Sequence, residues 1–201
     1  MNQPPLRSLF IASIGNPGRY RSTRHSAGHL LLDAITPLLR TKLPPVYKTW
    51  YSPSLMNESG KKLIREIDTF KRLGNQGTSV DALTLVILHD ELEKPLGKVV
   101  VKRGGPEKFS PRGHNGLRDI FKWLDKTKMY PHDSTLSILR IGVGIGRPES
   151  RSPDDVSEYV LTQMEGRELD AVKNAAGFAL NVLLEESGSL GNSNPAPQPT
   201  L

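Results

Sequence analysis

Leu83 to Leu88 reads LTLVIL and runs directly into His89-Asp90. A short run, apolar apart from Thr84 and rich in β-branched residues, closed by polar ones, predicts a strand buried on both faces with side chains available for chemistry at its end. Toward the N-terminus, Ser8 to Ile14 (SLFIASI) has the same character and ends in Gly15-Asn16-Pro17-Gly18, a tight loop. Val99 to Lys102 and Leu136 to Ile145 read as further strands. Helical spacing appears from Ser26 onward through Leu30, Leu31, Leu32, Ile35, Leu38 and Leu39, with Pro37 expected to kink or end that helix early. Further helices are predicted over Asn57 to Leu73, on Leu63, Ile67 and Phe70, and over Asn115 to Lys126. A last one rests on Val172, Ala175, Ala176, Ala179, Leu180 and Leu183, while Leu43 to Pro53, with three prolines, reads as irregular. Strands alternating with helices imply an α/β sandwich: one domain over residues 1–186 with a central, mostly parallel or mixed sheet flanked by helices. Residues 187–201 (SGSLGNSNPAPQPTL) lack the apolar content to pack and read as a flexible tail.

The 201 residues carry no cysteine, which excludes disulfides, thiolate-bound metals and a thiol nucleophile. No apolar run reaches the roughly 20 residues of a membrane span, and the start MNQPPLRSLF lacks the features of a targeting peptide, so an intracellular protein is expected. The net charge is +6, and eight cations against two anions between Lys94 and Lys122 account for an excess of that same size. Glycines at 104, 105 and 113 interrupt this basic stretch, a pattern that favours a polyanion site over a merely solvated face.

Neither a G-x-S-x-G elbow nor a phosphate-binding P-loop occurs. Gly142 to Gly146 resembles a dinucleotide fingerprint only superficially, because Arg147-Pro148 stands where a helix should open. His25 and His29 are four residues apart, as zinc ligands on a helix would be, yet no glutamate lies between them and no metal site is expected. What remains is a set of polar residues beside turns: Asn16, His25, Asn57, His89-Asp90 and His114-Asn115. Taken singly, each reads as a cap or a satisfied polar group. Gathered at one edge of an α/β domain, they would supply a base, its orienting carboxylate and amide donors, a set suited to hydrolysis by activated water.

The segments Gly15 to Tyr20, Thr23-Arg24-His25, Met56 to Gly60, His89 to Leu92, Arg112 to Leu117 and Arg140 to Gly146, in this order, resemble the bacterial-type peptidyl-tRNA hydrolases. The resemblance runs from about Leu6 to Val160 and implies a three-layer sandwich and cleavage of the ester between a peptide and the 3′ ribose of tRNA, with no cofactor and no metal. It implies His25 as catalytic base and Asp90 as its carboxylate. Asn57 and Asn115 become substrate and oxyanion contacts and Asn16 a positioning group, with Tyr20, Met56 and His114 also on the substrate side. Lys102 and Arg140 match the family's pair near the 5′-terminal phosphate, and Lys108, Arg112 and Arg118 are expected to follow the acceptor arm. A monomer is expected, in the cytoplasm, with the mitochondrion as the alternative compartment.

Three departures from the family pattern stand out. Ser26 replaces the usual Asn after the catalytic His, residues 107–111 (EKFSP) are inserted into a compact glycine loop, and the stretch between Leu39 and Met56 is short. The last departure motivates a competing expectation, a weakly active or inactive tRNA-binding relative that has lost a sheet edge and misplaced Asn57.

Overall fold

The computed structural model describes residues 7–43, 47–74, 82–108 and 114–188. In chain order the elements are β1 (Ser8–Ser13), α1 (Ala27–Lys42), β2 (Tyr47–Tyr51), α2 (Gly60–Gly74), β3 (Leu83–Glu91), β4 (Val99–Arg103), α3 (Asn115–Lys126), β5 (Leu136–Gly144), α4 (Pro153–Leu161), α5 (Gly166–Asn174) and α6 (Ala176–Glu186). One-turn 3-10 helices lie at Gly18–Tyr20, Arg24–Ser26, Met56–Glu58 and Pro106–Lys108. The strands form one mixed sheet in the order β2-β1-β3-β5-β4, parallel except for β4, which runs antiparallel to β5.

Alternation along the strands divides the core into two layers. Leu9 and Ile11 of β1, Val86 and Leu88 of β3 and Leu139, Ile141 and Val143 of β5 face a cluster with α1, α5 and α6. Phe10, Ala12, Leu85, Ile87 and Ile138 face the opposite cluster, with α2 and α3. Most of these side chains are fully buried, each stabilising the fold by roughly 1.5–3 kcal/mol relative to exposure. From β1 the chain moves to β2 on one side, then crosses back beyond β1 to β3, with α1 and α2 on opposite faces of the sheet. The direction of winding therefore reverses between β1 and β3. The two strand ends stay side by side, with the Ile14 N–H donated to the Leu88 carbonyl, so the segment that follows β1 starts next to His89-Asp90.

The structure corrects several sequence expectations. α1 runs 16 residues straight through Pro37. Pro37 and Asp33, whose carbonyl loses its partner, both face solvent, while Leu31, Leu32, Ile35 and Leu39 bury the other side. The stretch read as irregular contains β2, an edge strand paired with β1 from Leu9↔Tyr47 to Ser13↔Tyr51. The sheet edge expected to be lost is therefore present. The single last helix is two, α5 and α6, meeting at Ala175, and α4, capped by Ser152 with Pro153 in its first turn, was not anticipated. Of the expected tail, Ser187 and Gly188 close α6 through backbone bonds to Leu183 and Glu185, and residues 189–201 lie outside the described residues.

Candidate active site

His25 belongs to a one-turn helix whose neighbours are tied down on both sides. Arg24 forks onto both carboxylate oxygens of Glu168 (2.8 and 3.0 Å) and lies 4.3 Å over the Tyr159 ring. Ser26 accepts from the Asn16 backbone N–H (2.9 Å) and donates to the carbonyls of Asn16 and Tyr20. The hydroxyl at this departure from the family pattern thus bridges the loop after β1. Gly28 completes the arrangement: a Cβ there would lie 2.4 Å from the Leu88 carbonyl oxygen and 2.7 Å from that of Ile14. Only a glycine lets the start of α1 press onto the ends of β1 and β3, which brings His25 to Asp90.

Nδ1 of His25 lies 3.0 and 3.1 Å from the two oxygens of Asp90, a carboxylate only 3% exposed at the end of β3. A second imidazole reaches the same group, His114 Nε2 at 2.7 Å from Oδ1. Nδ1 of His114 accepts from the backbone N–H of Gly116 (3.1 Å) and, more weakly, of Leu117 (3.4 Å), capping α3. A nitrogen that accepts bears no proton, so the proton of His114 sits on Nε2 and is donated to Asp90. The ligand atoms of His25, Asp90 and His114 fall within 4.8 Å of one another, close enough for a cation. The capping bond argues against that use, since a protonated Nε2 has no lone pair for a metal. His29 turns elsewhere, with Nδ1 2.7 Å from Ser13 Oγ.

Burial is the largest single influence on His25 and disfavours its charged form, but the charge and hydrogen bond of Asp90 together outweigh it and the pKa is raised. For Asp90, burial pushes upward, yet the two histidines hold its carboxyl well below the usual carboxylate range. His89, buried beneath, is pushed down to about 4, first by burial and then by His114, and donates from Nδ1 to the Asp90 carbonyl. Gly142 makes room for this ring, because a Cβ there would lie 3.0 Å from His89 Cε1.

A cleft of about 760 Å³ opens over this cluster, lined by His25, His114 and Asn115, by the cations Lys102, Lys108, Arg118 and Arg140, and by Val156, Val160 and Leu161 of α4. Eight of the sequence-derived site residues therefore meet in one place. Asn16, Tyr20, Met56 and Asn57 are not among the residues that line the cleft. Asn16, 5% exposed, accepts from the Met56 backbone N–H at 3.0 Å, linking the loop after β1 to the turn that carries exposed Asn57. Met56 is buried, and the Tyr20 hydroxyl accepts from Arg19. Arg112 lies outside the described residues, as do 109–111 of the inserted loop.

Two cations differ from the open contacts expected of them. Arg140 is 2% exposed and donates to the carbonyls of Gly104 (3.1 Å) and Lys108 (3.2 Å), holding the loop from beneath. Lys102, opposite it across the β4–β5 ladder, is paired with Glu91 at 3.0 Å. The sequence reading missed the second hydrogen bond on Asp90 and the Glu91 pairing, since neither spacing nor motif encodes which side chains meet across elements.

Residues 10–193 match the family model described as peptidyl-tRNA hydrolase. The chain belongs to this family. It is 36% identical to a probable peptidyl-tRNA hydrolase of Schizosaccharomyces pombe over 174 residues, covering 82% of this chain and 75% of the relative. It is 34% identical to a peptidyl-tRNA hydrolase of Coprothermobacter proteolyticus, covering 87% and 86%. Among solved structures, a point mutant of peptidyl-tRNA hydrolase from Acinetobacter baumannii superposes with a TM-score of 0.61 at 25% identity, covering 94% of this chain and 93% of the other. The peptidyl-tRNA hydrolase resemblance and the sandwich fold read from the sequence are both borne out.

Proposed function

We propose that this chain hydrolyses the ester between a peptide and the 3′ ribose of tRNA, with His25 as general base and Asp90 as the carboxylate that orients it. The observation that carries the reading is the Asp90 carboxylate within 3.0–3.1 Å of His25 Nδ1 at the floor of a cation-lined cleft, in a chain of this family. With Nδ1–H donated to Asp90, Nε2 is the nitrogen left to take a proton from water. The attacking oxygen adds to the ester carbonyl, the tetrahedral oxyanion collapses, and the 3′ oxygen leaves and is protonated, freeing tRNA and a peptide carboxylate. Asp90 stabilises the imidazolium that forms, as in a triad without its serine. Such base catalysis supplies about 10²–10⁴-fold, and donors on the oxyanion supply more. Asn115, on the cleft at the start of α3, is the candidate for that contact, with Asn57 toward the substrate and Asn16 positioning the Met56–Asn57 turn through its bond to Met56.

For the tRNA end, Lys102, Lys108 and Arg118 offer cations along the cleft, and Arg140 shapes the loop that carries Lys108. Tyr20, Met56 and Arg112 complete the proposed contacts. The reading includes a monomer that needs no metal and acts in the cytoplasm; among the described residues no helix is long and apolar enough to cross a membrane. The lost sheet edge that helped motivate the expectation of a binding-only relative is not seen, because β2 occupies the shortened stretch and Ser52 donates its backbone N–H to the Ser13 carbonyl.

The test compares cleavage of N-acetyl-aminoacyl-tRNA with that of the N-acetyl-aminoacyl methyl ester, with and without EDTA. Strong preference for the tRNA ester, unaffected by chelator, is expected. Equal turnover of both esters, or loss of activity with EDTA, would overturn the reading.

A further inference from the structure

His114, placed on the substrate side by resemblance, is held in the structure by groups of the protein itself. Its side chain is 9% exposed and lies between two other imidazoles, with ring centroids 5.1 Å from His25 and 5.4 Å from His89. Gly116 leaves space for the ring to fold back over the first turn of α3, since a Cβ there would lie 3.1 Å from His114 Cε1. One nitrogen is committed to the helix cap and the other to Asp90 Oδ1, the oxygen that also lies 3.0 Å from His25.

We propose that His114 is a positioning residue for the hydrolysis: with its tautomer fixed by the α3 N-terminus, it donates to Asp90 and thereby sets how much carboxylate charge is left for His25. The inference rests on the proposed function for its kinetic consequence but not for its structural one. A carboxylate that accepts a second strong hydrogen bond is a weaker partner for the first. Removing the His114 donor therefore leaves more of the Asp90 charge facing His25, which becomes easier to protonate, while the carboxylate loses the bond that holds its plane. The loss acts on catalysis in both ways, through a higher proton occupancy of the base and through its misalignment.

Other charged groups face the pair and stay in place in the test. β3 and the loop after it bring His89, Glu91, Glu93 and Lys94; Lys102 comes from β4, Lys108 from the loop after it, Arg118 from α3 and Arg140 from β5. The α4 residues on the cleft, Pro153, Val156, Ser157, Val160 and Leu161, bring none.

The discriminating variant is His114→Asn. Asparagine caps helices well, so the Gly116 N–H keeps a partner, while the shorter side chain gives up the far ring nitrogen that reaches Asp90. His114→Ala, which removes cap and donor together, serves as the comparison. In the free protein, nitrogen-15 NMR of the histidine rings is expected to show His114 protonated at Nε2 and His25 at Nδ1. In His114→Asn, the His25 titration and the acidic limb of kcat/KM on N-acetyl-aminoacyl-tRNA should both move up by about one pH unit or less, the scale of one charge-assisted hydrogen bond. kcat at the optimum should fall about tenfold to a hundredfold with KM nearly unchanged. An Nδ1-protonated His114, or an unmoved His25 titration, would overturn the proposal; a raised KM with an unmoved limb would mark a substrate contact instead. Should the wild type cleave no peptidyl-tRNA, the NMR titration still decides the linkage, and the failure belongs to the functional reading alone.

Discussion

Replacing Asp90 by Asn keeps the size of the side chain and removes its charge, and the local hydrogen bonding dictates the consequence. Asp90 accepts from His114 at 2.7 Å and from His25 at 3.0 and 3.1 Å. His114 has to donate, because its other nitrogen caps α3. In Asp90→Asn it therefore claims the single carbonyl oxygen of the new amide, leaving the NH2 group to face His25. His25 Nδ1 then accepts, its proton moves to Nε2, and the atom required to take a proton from water is already occupied. Loss of about 10²–10⁴-fold in kcat is predicted, the full worth of positioned base catalysis. The pH dependence moves as well. The pKa of His25 is raised only because Asp90 outweighs burial, so without the charge burial prevails and the acidic limb of the residual activity falls below its wild-type position. This is the opposite direction from His114→Asn. The assay is single-turnover release of tRNA from N-acetyl-aminoacyl-tRNA across roughly pH 5–9, the range over which such a base titrates, with tRNA affinity measured in parallel and expected to hold. Activity within tenfold of wild type, with the limb unmoved, would refute the reasoning.

Gly28→Ala should cost about 1–3 kcal/mol as an overpacked core contact and lower Tm by several degrees. It should also reduce kcat, since the added methyl meets the Leu88 and Ile14 carbonyls that bring His25 to Asp90; calorimetry and turnover check the two effects. His29 and His89, both pushed down to about 4 by burial, are neutral in the fold but titrate in the unfolded chain near 6.5. The unfolded chain binds more protons between those values, so stability is present above about pH 6.5 and falls by up to about 3 kcal/mol per residue as pH drops toward 4. His25, with its raised pKa, contributes in the opposite sense: its stabilisation is full below the unfolded value and fades as pH rises through the folded one. Denaturant titrations at several pH values, on wild type and on His29→Leu combined with Ser13→Ala, should show a shallower acid loss in the variant. Lys102→Ala with Lys108→Ala should weaken tRNA binding and reduce its log–log salt slope by about one to two. Glu91→Gln, by freeing Lys102, should tighten that binding, and an unchanged slope in the double variant would place the phosphates elsewhere.

The parts of the fold legible in the sequence were those set by local pattern. β1, β3 and β5 are predominantly apolar because both faces are covered, interrupted only by Thr84 in the run before His89 and by Ser137 and Arg140 in β5, and α3 has the bounds its spacing predicts, Asn115–Lys126. β2 was hidden because an edge strand needs no continuous apolar run, and its TyrLysThrTrpTyr sits among prolines that argue locally for a loop. Pro37 misled for a related reason: the cost of a helical proline depends on which face it occupies, and that is decided by packing. At the site, His25 and Asp90 stood out as polar residues beside turns, but their pairing was legible only through a family resemblance, since sixty-five positions separate residues that meet through the packing of α1 on β3. The second histidine on Asp90 and the burial of Arg140 depend on distances between elements, which no spacing along the chain carries.

The proposed chemistry depends most directly on His25 as the base. Release of tRNA from N-acetyl-aminoacyl-tRNA by His25→Ala, measured beside the wild type with tRNA affinity followed in the same samples, should fall by at least about a hundredfold while affinity changes little. Turnover near the wild-type rate in a folded His25→Ala protein would contradict it.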